Sequence, residues 1–227
     1  MIVDDNSRKL DEEAMIKEVL EELAKERPLF HSEADFQHSL AWKIHEKKGN
    51  LKIKDIRLER NAFEKEGKNN YVDIILTTVD NKYIPIELKY KTKKGRFESN
   101  NETYNLKNQG AMDFGCYDFI KDIERIETFK QKHKEGYATG FSIFLTNDLA
   151  YTRDTGRDSC YRDFKINEGR TIKKKQSLNW AKEEKQWQKG RPSINLDSNY
   201  KFEWNLYSKK DGTQGYKFKY LIVKTAK

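Results

Sequence analysis

Cysteine is scarce in this chain: its 227 residues hold two, Cys116 in a helical pattern and Cys160 in a polar stretch. Two thiols so far apart make neither a disulfide framework nor a thiolate zinc site, so a reducing, cytoplasmic setting is expected. Long apolar runs are missing as well. No segment approaches the roughly 18 apolar residues that a membrane span needs, and Met1-Ile2-Val3-Asp4-Asp5-Asn6 lacks the basic-then-apolar order of an export signal. A soluble protein without a membrane partner is the expectation. There is no glycine-rich phosphate loop, no Gly-x-Ser-x-Gly elbow and no His-Glu-x-x-His pair. His31, His38 and His45 recur every seven residues but have no cysteine nearby, so surface positions are expected for them. Internal repeats and low-complexity linkers are also absent, which points to one domain over 1–227.

Charge is what the sequence has in abundance. Hydrophobic and charged residues each make up 36%, while 12% aromatic content and clear apolar segments argue against disorder. The net charge of +8 favours a polyanionic partner without identifying one.

Residues 6–26 read as an amphipathic helix capped by Asn6 or Ser7, with Met15, Ile16, Val19, Leu20 and Leu23 on one stripe. A second helix starts after Ser32, a good N-cap with Asp35 three residues on, and runs to about Lys48. Its stripe carries Glu33, Gln37, Leu40 and Ile44. Residues 53–60 read as a strand and Glu64 to Asn70 as a charged loop. Two β-rich runs, Val72 to Thr78 and Lys82 to Tyr90, flank the turn Val79-Asp80-Asn81. The basic segment Lys91 to Arg96 reads as an exposed loop. A long helix is expected from about Thr103 to Lys130, with Met112, Cys116, Phe119, Ile123 and Ile126 on its core stripe and Gln109, Asp113 and Tyr117 on one flank. Phe141 to Thr146 is an apolar strand of the kind covered on both faces. Further on, a short helix is expected over Ser177 to Lys189. A terminal hairpin should then alternate Tyr200, Phe202, Trp204 and Leu206 with polar residues, and likewise Tyr216, Phe218, Tyr220 and Ile222.

The central hairpin carries three charges in apolar surroundings: Asp73, Glu87 and Lys89. Buried charges need partners, because an isolated carboxylate in an apolar setting costs several kcal/mol or neutralises itself. Pairing Thr78 with Lys82 and continuing that register places Asp73 opposite Glu87, close enough for both to share one cation. Glu87 and Lys89, two residues apart, project from the same face. A hard cation such as Mg²⁺ takes a few carboxylates and keeps waters at its other positions. The alternative is a cross-strand salt bridge between Lys89 and Asp73 or Glu87. Glu-x-Lys recurs at Glu46/Lys48, Glu66/Lys68 and Glu183/Lys185, but only Glu87 lies in an apolar strand beside another acid-bearing one.

Asp73 followed by Glu87-Leu88-Lys89 resembles the signature of the PD-(D/E)XK, or restriction-endonuclease-like, nuclease superfamily, over roughly residues 30–146. Val72 stands where the name-giving pattern has proline. The resemblance implies an α/β fold with an α-β-β-β-α-β core: a mixed central sheet flanked by helices. Here that core (30–146) would carry an added N-terminal helix (1–28) and a C-terminal extension (147–227) ending in the aromatic hairpin. It also implies a metal-dependent nuclease, DNA being favoured over RNA as substrate, with Mg²⁺ or Mn²⁺ as cofactor and pairing into a homodimer as an option. Asp73, Glu87 and Glu33 would serve the metal and Lys89 the nucleophile, with Gln109 near the site. Glu33 reads equally as a first-turn acid favoured by its helix N-terminus, and Gln109 as a hydrogen-bonding residue at the core edge.

Lys91, Lys93, Lys94 and Arg96 could grip phosphates where the strand leaves the proposed site, or could simply be solvated. Tyr151, Arg153, Arg157, Tyr161 and Arg162 could stack on nucleic acid. Trp180, Trp187 and the terminal hairpin read as packing. Asp73→Ala or Lys89→Ala should abolish cleavage with the fold intact. The rival readings are a catalytically inactive nucleic-acid-binding module of the same fold and a protein-interaction domain.

Overall fold

The apolar stripe read along the first helix is the one the fold buries. Met15, Ile16, Val19, Leu20 and Leu23 all face inward from α1 (Glu12–Glu26). The structure, a computed structural model, describes residues 12–65, 67–154, 159–181, 190–212 and 215–227; the proposed caps Asn6 and Ser7 lie outside these. α2 (Glu33–Glu46) begins as its sequence dictates, with the Ser32 hydroxyl accepting the Asp35 N–H at 3.1 Å. Arg27 locks this start by donating to both oxygens of Asp35. Lys43 and Lys47 tie α2 to α1 through Glu26, Glu18 and Glu22.

Three strands follow: β1 (Ile53–Lys65), β2 (Lys68–Thr78) and β3 (Tyr83–Lys91). The charged loop expected over 64–70 is instead the far end of the β1–β2 hairpin, since Phe63 pairs with Asn70 and Glu64 with Asn69. Polar side chains suit that stretch because it is an exposed arm, not because it is irregular. A second hairpin then replaces the expected loop and the first turns of the expected helix. β4 (Gly95–Ser99) and β5 (Glu102–Leu106) pair across Asn100 and Asn101, whose φ of 51° and 61° suit a tight turn. α3 starts only at Met112 and runs to Lys132.

β6 (Gly140–Thr146) is buried along its whole length and lies parallel to β3, with Ile86 beside Phe141 and Lys91 beside Thr146. Four short strands come next: β7 (Thr171–Ile172), β8 (Ser177–Leu178), β9 (Ile194–Asn195) and β10 (Tyr200–Lys201). β8 pairs with β9 where a helix from Ser177 was expected; the remainder of that segment, with Trp187, lies outside the described residues. The terminal hairpin, β11 (Trp204–Lys210) and β12 (Tyr216–Thr225), is no appendage. β12 pairs with β6, giving one sheet in the order β1-β2-β3-β6-β12-β11. A bulge between Leu206 and Ser208 breaks the expected alternation, so Leu206 is 53% exposed while Tyr207 and Ser208 turn inward. Their hydroxyls donate to the carbonyls of Arg27 and Pro28, which fixes the entry to α2.

The fold is thus mixed α/β, with a six-stranded mixed sheet covered by helices on both faces. α1 and α2 pack over Ile74, Leu76, Ile84, Ile86, Leu88 and Leu145. The other face, lined by Phe144, Leu221 and Val223, receives Phe119, Ile120 and Ile123 of α3 together with the 146–204 region. Each such buried side chain contributes on the order of 1.5–3 kcal/mol. Among the described residues no helix is long and apolar enough to cross a membrane.

Candidate active site

Sheet pleating decides which face each charge occupies. Ile74 pairs with Ile86 and Thr77 with Tyr83, the register read from the sequence, although regular pairing stops one step short of Asp73 and Glu87. Ile86 and Leu88 point to α2, so Glu87 and Lys89 point to α3. Asp73 leaves the ladder and closes it differently: its Oδ2 accepts the Leu88 N–H at 2.6 Å. Gln37, buried on α2, holds the same strand from the other side by donating to the Asp73 carbonyl and to Glu59 Oε1, both at 2.8 Å. Glu59 reaches that amide from a left-handed backbone position within β1 (φ 48°).

Glu33, half-buried in the first turn of α2, accepts the Tyr90 N–H at 2.7 Å through Oε2. Its carboxylate lies within electrostatic reach of Asp73, Lys89 and Asp122. The structure therefore brings all four sequence-derived residues, Glu33, Asp73, Glu87 and Lys89, into one cluster.

It also adds members that the sequence reading passed over. Asp122 of α3, 2% exposed, places Oδ2 at 2.9 Å from the Lys89 ammonium. Arg125, one turn on, puts Nη1 at 2.8 Å from Glu87 Oε2 and 3.4 Å from Asp122 Oδ1. Asp118, one turn before Asp122, is within reach of Lys89, Lys91 and Arg191. At about 100° per residue, Asp118, Asp122 and Arg125 fall on the flank of the core stripe opposite Asp113 and Tyr117. An acid–acid–base set at i, i+4 and i+7 beside apolar positions was the available signal.

Crowding sets the ionisation. Burial lifts Asp73 to about 6 against the Leu88 N–H and the Lys89 charge, with Asp122 and Glu33 adding repulsion. Burial likewise raises Glu87, helped by the like charge of Asp122, even though Arg125 contacts it. Asp122 shifts upward by burial despite Lys89 and Arg125. The two cations also shift upward, held charged by these carboxylates against their own burial. The directions agree once the count is made: five carboxyls (Glu33, Asp73, Glu87, Asp118, Asp122) surround two cations (Lys89, Arg125), so full ionisation of all five would leave uncompensated negative charge in a buried site.

Glu87 is 1% exposed and its Oε1 has no hydrogen-bond partner; the hydroxyl of Ser142, its neighbour on β6, is buried and unpartnered as well. A hard divalent cation matches the oxygen-donor chemistry of this cluster and would offset its excess of carboxyls over cations. Among the described residues, however, no group of three or more His, Cys, Asp or Glu stands arranged as a ready metal shell. Arg125 occupies one oxygen of Glu87 that such a shell would use, and Lys89 is held by Asp122.

No protein-family model, curated protein or solved structure matches the chain.

Around the cluster, the expected phosphate-binding residues are spread out. Lys91 is half-buried at the end of β3, whereas Lys93 and Lys94 are exposed beyond it and Arg96 is exposed on β4. Lys93 bonds Asp148 at 3.2 Å. Gln109 lies outside α3, on the exposed approach to it, and exchanges backbone and side-chain hydrogen bonds with Thr92, so it clamps the end of β3 to the helix entry. The 151–162 segment contributes less surface than expected. Tyr151 is buried against Phe144 and Arg157 lies outside the described residues, while Arg153 and Arg162 remain exposed. Trp180 packs on Tyr117 and Phe164. His38 and His45 are exposed and His31 pairs with Glu102. Hollows of about 510 and 500 Å³ lie along the β4–β5 turn and share no residue with the cluster.

Proposed function

We propose that this chain is a divalent-cation-dependent nuclease with a restriction-endonuclease-like core, hydrolysing phosphodiester bonds in nucleic acid, DNA before RNA. The observation that carries this reading is the convergence of Asp73, Glu87 and Lys89 from adjacent strands into one buried cluster with an unpartnered Glu87 oxygen. The order α2-β1-β2-β3-α3-β6, interrupted by the β4–β5 hairpin before α3, with an antiparallel β1–β2–β3 unit and a parallel β3–β6 pair, supports the same core. Asp73 and Glu87 would hold Mg²⁺ or Mn²⁺, and Glu33 would fix a water beside them. When bound, such an ion polarises a phosphoryl oxygen and lowers the pKa of a water it holds.

The chain's own groups supply the rest. Lys89, kept protonated by Asp122, is a fixed positive charge for the developing negative charge of the transition state and not a proton acceptor. Asp122 thereby acts as its positioning residue. Lys91, Lys93, Lys94 and Arg96 follow the end of β3 and would add positive charge for a phosphate backbone that reached the cluster from that side.

The ion pairs that occupy Glu87 and Lys89 favour a second reading, a nucleic-acid-binding module of this fold without catalysis. One experiment separates the two. Plasmid, linear duplex, single-stranded DNA and RNA are incubated with the protein in Mg²⁺, Mn²⁺ or chelator, alongside Asp73→Asn. Metal-dependent cleavage lost in Asp73→Asn supports the nuclease; binding that persists in chelator, with no substrate cut, supports the module.

A further inference from the structure

The Arg125 guanidinium is the least expected part of the cluster. It reaches from α3 across to β3 and takes one oxygen of a carboxylate whose other oxygen has no partner. Glu87 is sealed from water, so the strength of its charge depends on what touches it inside the protein. Two positive charges can reach this part of the cluster, and they are not equivalent. Lys89 is engaged by Asp122 at 2.9 Å, whereas Arg125 lies at 2.8 Å from Glu87 and keeps a looser 3.4 Å hold on Asp122. The Arg125 side chain is 30% exposed, so it can leave Glu87 towards solvent while retaining Asp122 as an anchor.

From this geometry we infer that Arg125 is the internal competitor of the divalent cation: it neutralises Glu87 until a cation takes that carboxylate, and cation affinity is set by this exchange. The inference rests on the cation-binding reading of Asp73 and Glu87 given above. It adds a regulatory role for a residue of α3 that would touch neither cation nor substrate. An ammonium or guanidinium contact to a carboxylate is a charge-assisted hydrogen bond, roughly twice the strength of a neutral one. A cation that must displace it therefore binds more weakly than the same carboxylates would otherwise allow. Arg125 also supplies the positive charge that lets Glu87 remain in an apolar sheet without a metal, which makes the folded chain tolerant of low cation concentrations.

Mn²⁺ binding to the full chain, followed by the electron paramagnetic resonance of free Mn²⁺, tests the exchange directly. Arg125→Gln is expected to bind Mn²⁺ roughly tenfold more tightly or better, and Arg125→Lys to stay near the wild type. Lys121→Gln removes a positive charge from the same helix without touching Glu87, and should change affinity less than about threefold. If Arg125→Gln lowers stability in chelator, its melting temperature should rise more on adding Mn²⁺ than that of the wild type. Equal or weaker Mn²⁺ binding by Arg125→Gln, with binding abolished in Glu87→Gln, overturns the exchange and leaves the cation site standing. Equal tightening by Lys121→Gln also overturns it, because the effect would then be a general field. Absence of Mn²⁺ binding from wild type and Arg125→Gln alike overturns both the exchange and the site.

Discussion

Replacing Asp73 by asparagine should make the protein more stable, not less, at neutral pH without metal. The folded-state carboxyl is raised from 3.8 to about 6, chiefly by burial. An acid with a raised folded-state pKa keeps a proton that the unfolded chain gives up, so stability falls as pH rises from the unfolded value through the folded one. A shift of about two units corresponds to about 3 kcal/mol lost across that window, at ~1.36 kcal/mol per unit. Asparagine resembles the protonated acid, keeps an oxygen for the Leu88 N–H, and carries no charge to bury. Wild type and variant should therefore be about equally stable near pH 4 and diverge to about 3 kcal/mol near pH 8, the variant being the more stable. Urea unfolding in chelator, across that range at matched ionic strength, measures this, with the denaturant slope as a check that both states keep their compactness. Mn²⁺ should stabilise the wild type and not the variant. Parallel pH profiles, or a variant less stable near pH 8, would refute the reasoning: Asp73 would then be the satisfied partner of a Lys89 salt bridge and not a burdened ligand.

Four further outcomes follow from the same geometry. Lys89→Ala should cost about 3–5 kcal/mol in urea unfolding, because Asp122 would lose its 2.9 Å partner; cleavage by that variant is therefore read only alongside its unfolding curve. Glu127 accepts the Asp197 N–H on both oxygens and the Tyr200 hydroxyl at 2.7 Å. Glu127→Ala should cost about 2–4 kcal/mol and show first as faster amide exchange over residues 195–202. Gly115→Ala should destabilise by about 1–3 kcal/mol in thermal melts, since a methyl there collides with the buried ring of Tyr151. If nucleic acid is the partner, combined Lys93, Lys94 and Arg96 alanine substitutions should flatten the logarithmic dependence of binding on salt by about two to three, measured by fluorescence anisotropy.

What was legible in the sequence depended on how local its cause was. The α1 stripe, the Ser32 cap and the β2–β3 register each follow from a few neighbouring residues, and each stands in the fold. Asp73, Glu87 and Lys89 were legible because charge in an apolar strand is anomalous wherever it occurs, and Glu33 because it shares a helix stripe with Leu40 and Ile44. The β4–β5 hairpin was missed although Asn100-Asn101 supplied the positive-φ residues it needs; the helical period from Met112 onward was wrongly extended backward over Tyr104 and Leu106. Asp122 and Arg125 were missed because a helix carries charge on either flank of its stripe. Which flank meets β3 depends on how α3 rotates onto the sheet, a property of tertiary packing. The exposure of Leu206 depends on a bulge that alternation alone does not reveal.

The place of β12 between β6 and β11 has a consequence for how the chain is made. β6 is wholly buried and among the most apolar strands, and one of its two edges is filled by residues 219–225, which are synthesised more than 70 residues after it. Until then that edge is a bare, hydrophobic template of the kind that recruits other chains. Nascent chains ending before residue 216 should therefore need a chaperone or aggregate. Residues 33–125, which supply every charge of the acidic cluster, would meanwhile be synthesised but left on an unfinished sheet.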